Sequence, residues 1–149
     1  MQSIFNTTDS EALIERFYKL TSDSPALWGK MNVSQMLAHV QEPMKIATGE
    51  LKLKQGLVGF LFGRIAKNQF MKNRSFKQGL PTVKSFIIKG NPLFKTEREK
   101  IVAMVRKFTA AGPSVLTKEV HPFFGRMTVE EWDSLQYIHL DHHLKQFGV

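Results

Sequence analysis

The sequence predicts an all-α fold: an antiparallel four-helix bundle with a long elaborated connection between its second and third helices. Three observations carry that prediction. Apolar residues recur at helical spacing in four stretches. Two of those stretches open with the spacing of a capping box, and two close on Gly49 or on Gly112-Pro113, where helices commonly stop.

The first helix is expected from about Asp9 to Thr21, with Leu13, Ile14, Phe17 and Leu20 forming its stripe. Asp9 or Ser10 suits its N-cap, and residues 22–25, Ser-Asp-Ser-Pro, stop it. The second starts at Asn32, which has Gln35 three residues on. Its apolar face is Val33, Met36, Leu37, Val40, Met44 and Ala47, and Pro43 inside the pattern predicts a kink. The third begins near Thr96, which would cap a Glu-Arg-Glu first turn, and carries Ile101, Met104, Val105, Phe108 and Ala111. The fourth runs from Thr128, boxed with Glu131, to about Phe147.

Residues 50–95 are too long for a simple bundle loop. Gly56 to Met71 predicts a further helix, because Phe60, Leu61, Ile65, Phe70 and Met71 are too many apolar side chains to leave in water. The glycines at 56, 59 and 63 weaken a helix there, and the run is too short to span a bilayer. Thr82 to Lys89 reads as a short extended segment closed by a turn at Gly90-Asn91-Pro92. No repeat, low-complexity tract or linker divides the chain, so residues 1–149 read as one domain, a length that buries a sizeable core.

Composition narrows the chemistry. The absence of cysteine excludes disulfides, thiolate metal sites and cysteine nucleophiles, so any thiol in a reaction comes from outside. The opening MQSIFNTTDS lacks the basic start and apolar stretch of a signal peptide, and a cytoplasmic location is expected. The net charge of +8 is uneven: residues 51–107 hold fourteen Lys/Arg against Glu97 and Glu99, while both flanks are acidic. With Phe60, Phe62, Phe70, Phe76 and Phe86 interleaved, this segment could engage nucleic acid or anionic membrane. Equally, its charges could be a solvated surface and its aromatics could fill the mouth of the bundle or a homodimer contact. No helix-turn-helix, RNP or zinc-finger pattern accompanies it, so no specific nucleic-acid partner is expected.

The last helix carries the sharpest signal. At 100° per residue, Trp132, Leu135, His139, Leu140, His143 and Phe147 share one face, with Asp141 and Lys145 opposite. Histidines four apart have Cβ atoms about 5–6 Å apart, and two such imidazoles can reach one ion at about 2.0–2.1 Å. Two readings of His139 and His143 stay open: metal ligands, or core histidines satisfied by backbone, water or each other. His142 points away from the stripe and reads as a solvated or rim residue. His39, on the flank of the second helix's stripe, is either a boundary histidine or a third ligand. Three histidines would leave coordination positions open for water and substrate. Gln35 and Gln136, one turn from His39 and His139, could steady those rings, while Glu42 points outward. No Ser/His/Asp set, phosphate loop or carboxylate pair is visible.

With these residues in view, the chain resembles the DinB/YfiT-like family of metal-binding four-helix bundles. The matching features are QMLAH at 35–39 and HLDHHLKQF at 139–147. The family's one histidine on helix two and HxxxH pair on the final helix fall on His39, His139 and His143. The segment HPFFG at 121–125, followed by MTVEEW, is similar to an uncharacterised subgroup with such a turn before the last helix. The resemblance spans the chain and is loosest across 50–95. It implies a divalent metal, Zn²⁺ or Ni²⁺, and a link to thiol-dependent transferases and isomerases. His121, in the loop before the last helix, could steady a ligand or serve as an acid/base near the metal, or simply pack on Phe123 or Phe124 in a His-Pro turn. The expected function is a metal-dependent transferase or hydrolase acting on a small molecule, with a low-molecular-weight thiol as one co-substrate. The alternative is a non-catalytic bundle that binds partners through its basic middle.

Overall fold

The apolar spacing of the chain is realised as α-helix throughout. Among the described residues the helices are α1 (Thr7–Lys19), α2 (Val33–His39), α3 (Gln41–Thr48), α4 (Leu57–Asn73), α5 (Phe94–Ala111) and α6 (Val129–Gln146). Short 3-10 turns lie at Lys84–Phe86 and Gly112–Val115, and no strand is present among those residues. The computed structural model describes residues 2–54, 57–80 and 84–149, the side chains of 57–62 excepted. The expected helix start at Gly56, the Thr82 end of the extended segment and the side chains of Phe60, Leu61 and Phe62 lie outside the described residues.

α1 starts two residues earlier than its spacing suggests. Asn6, rather than Asp9 or Ser10, is the N-cap, its side chain accepting from the Asp9 N–H. Asp9 thereby falls in the first turn, where a carboxylate favours the helix dipole. The second expected helix is not kinked at Pro43 but broken at Val40, which caps α2 and opens α3. Pro43 then lies in the first turn of α3, where its missing N–H has no intrahelical partner to lose. α5 begins at Phe94, so Thr96 is inside the helix and not its cap. Both capping boxes, Asn32/Gln35 and Thr128/Glu131, are made. In place of an extended segment, residues 84–86 form a 3-10 turn.

One apolar cluster joins the helices. Leu13, Ile14 and Phe17 of α1 and Ile101, Val105 and Phe108 of α5 are buried in it, and α5 packs on α1, α2 and α3 while α6 packs on α1 and α3. Fully burying side chains such as Phe17, Phe108 and Leu140 stabilises by about 1.5–3 kcal/mol each. α6 departs from a simple stripe: Trp132 through Ile138 are all buried, including Asp133, Ser134 and Gln136. The N-terminal segment covers part of that side, with the Ile4 N–H donating to Asp133 Oδ1 at 2.8 Å. At the other end Arg16 ties α1 to α6 through Asp141 Oδ1 (2.8 Å) and the Val149 carbonyl (2.9 Å).

α4 lies against the turn at residues 121–125. A Cβ at Gly63 would stand 1.8 Å from the Phe123 carbonyl oxygen, so only glycine permits this approach. The residue that weakens the helical pattern is the one that lets α4 dock. No helix among the described residues is long and apolar enough to cross a membrane.

Candidate metal centre

The break at Val40 leaves His39 as the last residue of α2, facing α6. Across from it, His139 and His143 stand one turn apart, and the candidate ligand atoms of the three histidines lie within 4.8 Å of one another. Ring centroids are separated by 5.3 Å (His39–His139), 4.8 Å (His39–His143) and 4.6 Å (His139–His143). Tetrahedral ligands at about 2.1 Å from an ion stand about 3.4 Å apart, so modest side-chain rotation closes the group. These three histidines could hold a metal ion.

The hydrogen bonds behind two of the rings fix what they offer. His39 Nδ1 lies 3.1 Å from the Phe86 carbonyl oxygen. A carbonyl only accepts, so Nδ1 carries the proton and the Nε2 lone pair is left for a ligand. For His143 the same logic runs through an amide. Gln146 Nε2 donates to the Trp28 carbonyl at 2.7 Å, which turns its Oε1 toward His143 Nδ1 at 2.8 Å. That oxygen only accepts, so His143 also carries its proton on Nδ1. Gly29 keeps the relay open: its φ is +84°, and a Cβ there would stand 2.6 Å from Gln146 Nε2. His139 is partly exposed, but its Nδ1 is sealed from solvent without a partner.

Burial keeps the rings neutral. Desolvation lowers the His39 pKa, against a raising contribution from the Phe86 carbonyl. It takes His143 down to about 3, with the nearby His39 adding to the fall. His139 is held well below the ordinary range, first by burial and then by the other histidines. Three neutral imidazoles with lone pairs are the form that binds a divalent cation.

The long connection supplies the surroundings. Phe86 packs edge-on against His39 (6.3 Å), and Phe76 against both His139 (5.9 Å) and His142 (5.8 Å). His142 is half-buried between Phe76 and Trp28, rather than solvated. Phe70 is buried and stacks on Phe76 and Phe124. The described aromatics of the basic segment thus pack inward. Several of its cations are paired too: Lys52 with Glu119, Lys67 with Glu131 and Lys107 with Glu50, each an acid from a flank.

The structure does not bring His121 into the group. Its ring contacts Phe124 (4.8 Å) and Trp132 (5.2 Å), and its Nδ1 accepts from the backbone N–H groups of Phe123 and Phe124, both at 3.0 Å. Burial lowers its pKa to about 4. Neither Gln35 nor Gln136 is hydrogen-bonded to the ring it neighbours in sequence. Gln35 completes the capping box and donates to the Gly90 carbonyl at 3.0 Å, pinning the strap that carries Phe86. Gln136 donates to the Pro43 carbonyl at 3.5 Å. Glu42 pairs with Lys45. Sequence reasoning missed Gln146, Gly29 and the carbonyls of Trp28 and Phe86; only Gln146, three residues after His143, had a signal in helical spacing.

A family model described as protein of unknown function (DUF1569) matches residues 3–148. The chain belongs to that family. No curated protein matches the chain, and no solved structure does.

Proposed function

We propose that this chain is a single-domain, DinB/YfiT-like antiparallel four-helix bundle that holds one Zn²⁺ or Ni²⁺ on His39, His139 and His143 and uses it on a small-molecule substrate. The carrying observation is the convergence of three neutral imidazoles, two of them tautomerically fixed by acceptors behind them. The antiparallel sense has its own support. His39 stands against His139 and His143, and four residues later the Pro43 carbonyl meets Gln136, so advance along α2–α3 is retreat along α6.

A metal held there supplies Lewis acidity toward a water or an external thiol, with three protein ligands leaving room for substrate. The chain's own residues hold the rings and shield them. Phe86 and Gln146 orient His39 and His143, and Phe76 and Phe86 restrict water on the side of the connection. His121, whose lone pair is spent on the backbone, holds the turn before α6. Without cysteine in the chain, a transfer reaction takes its thiol from solution. The test is product analysis of the metal-loaded protein over a panel of electrophiles, with and without added low-molecular-weight thiol. Thiol-dependent products point to transfer and thiol-independent ones to hydrolysis; activity that survives chelation contradicts both.

A further inference from the structure

Three buried side-chain atoms on α6 have no hydrogen-bond partner, Ser134 Oγ, Gln136 Oε1 and His139 Nδ1, and the last two belong together. Gln136 is only 1% exposed, and an unmet buried polar group costs roughly 1–3 kcal/mol. The residues are three apart on one helix, so they share a face with Cβ atoms about 5–6 Å from each other. The carboxamide's orientation is set independently: its Nε2 donates to the Pro43 carbonyl, which cannot donate back. The oxygen is therefore the end left over, and an amide oxygen only accepts. His139 Nδ1 can be the matching donor. The two other rings already follow this rule, each donating its Nδ1–H to an oxygen, from Phe86 and from Gln146.

We infer that Gln136 is the positioning residue of His139, its Oε1 accepting a hydrogen bond from Nδ1–H as the ring seats, so that all three imidazoles present Nε2 to the ion. The inference rests on the metal reading above for its consequence and on the hydrogen-bond pattern alone for its tautomer. It satisfies two buried atoms with one bond. Ser134, also fully buried with an unpartnered Oγ, is five residues from His139 and on a different face, so it plays no such part.

The experiment reads both consequences on the full-length chain. Long-range 1H–15N correlation of the histidine rings in metal-free protein reports the His139 tautomer, and competition with a chromophoric chelator reports zinc affinity. Wild type is expected to carry the His139 proton on Nδ1. Gln136→Leu, which preserves side-chain bulk, is expected to lose that preference and to bind zinc about 10–100-fold more weakly. Ser134→Ala should match wild type in both readouts. A wild-type His139 protonated on Nε2, which would make Nδ1 the ligand atom, overturns the inference, as does Gln136→Leu binding zinc like wild type. The wild-type tautomer decides the matter even where the leucine variant does not fold. A wild type that takes up no zinc ends the metal reading and leaves that tautomer as the test of Gln136.

Discussion

His121 and the pair His39 and His143 are buried imidazoles of one chain, all with lowered pKa values, and their hydrogen bonds run in opposite directions. His121 Nδ1 accepts two backbone N–H bonds, so its proton sits on Nε2 and its lone pair is used up in a turn. His39 and His143 donate from Nδ1 to an oxygen and keep the Nε2 lone pair. Burial and a depressed pKa therefore do not distinguish a ligand from a structural histidine. The direction of one hydrogen bond does.

The largest expected effect separates the two regions outright. Replacing His39, His139 or His143 by alanine should abolish most metal uptake, because two ligands remain. The stabilisation by metal, about 2.7 kcal/mol at a hundredfold excess over Kd, should vanish with it. His121→Ala should keep metal uptake and instead lose about 2–4 kcal/mol of folding stability, since two backbone donors lose their acceptor. Thermal melting of the four variants, with metal and after chelation, reads both.

Acid should expose His121 next. Its folded pKa, about 4, lies below the ordinary 6.5, so the unfolded chain binds the proton first as pH falls. Stability from this ring is fully present above pH ~6.5 and falls by roughly 3 kcal/mol on the way to pH ~4. His121→Asn retains an acceptor without titrating, so urea unfolding at several pH values should show that component in wild type and not in the variant. Equal acid losses would contradict the assignment. Metal should leave over a related range, as protons compete for the three rings.

The relay behind His143 should give a smaller change. Gly29→Ala places a methyl against Gln146 Nε2 in a backbone conformation that disfavours it. Metal affinity should fall about 10–100-fold, as on loss of a ligand's hydrogen-bond partner. Unchanged affinity in calorimetric titration would show that His143 needs no such support. His142→Ala comes last: metal uptake is retained, and the edge contacts with Trp28 and Phe76 are worth about 0.5–1.5 kcal/mol of stability.

What the sequence made legible follows from which forces are local. Helical spacing and capping boxes act over three or four residues, so the capping boxes that open α2 and α6 and the shared face of His139 and His143 could be read directly. Asn6 does not stand out as the N-cap because Asp9 and Ser10 are equally good caps on composition, and only the fold of residues 3–9 decides among them. The break at Val40 and the burial of α6 on several sides depend on neighbours distant in sequence. So do the partners of the ligands: the Phe86 carbonyl is 47 residues from His39, and the Trp28 carbonyl 118 from Gln146. Backbone oxygens leave no trace in residue identity. Gly63 shows the reverse case, a residue whose helical propensity argues against its own element until the turn it touches is known.

Whether three histidines from two helices share one ion is a question of where the metal sits. Metal analysis of the purified full-length chain, joined to an anomalous-scattering map of its crystals, tests it most directly. One divalent ion per chain is expected, bounded by His39, His139 and His143, with His121 and His142 outside its coordination. A chain that takes up no metal when it is supplied, or an ion seated away from these three rings, would contradict it.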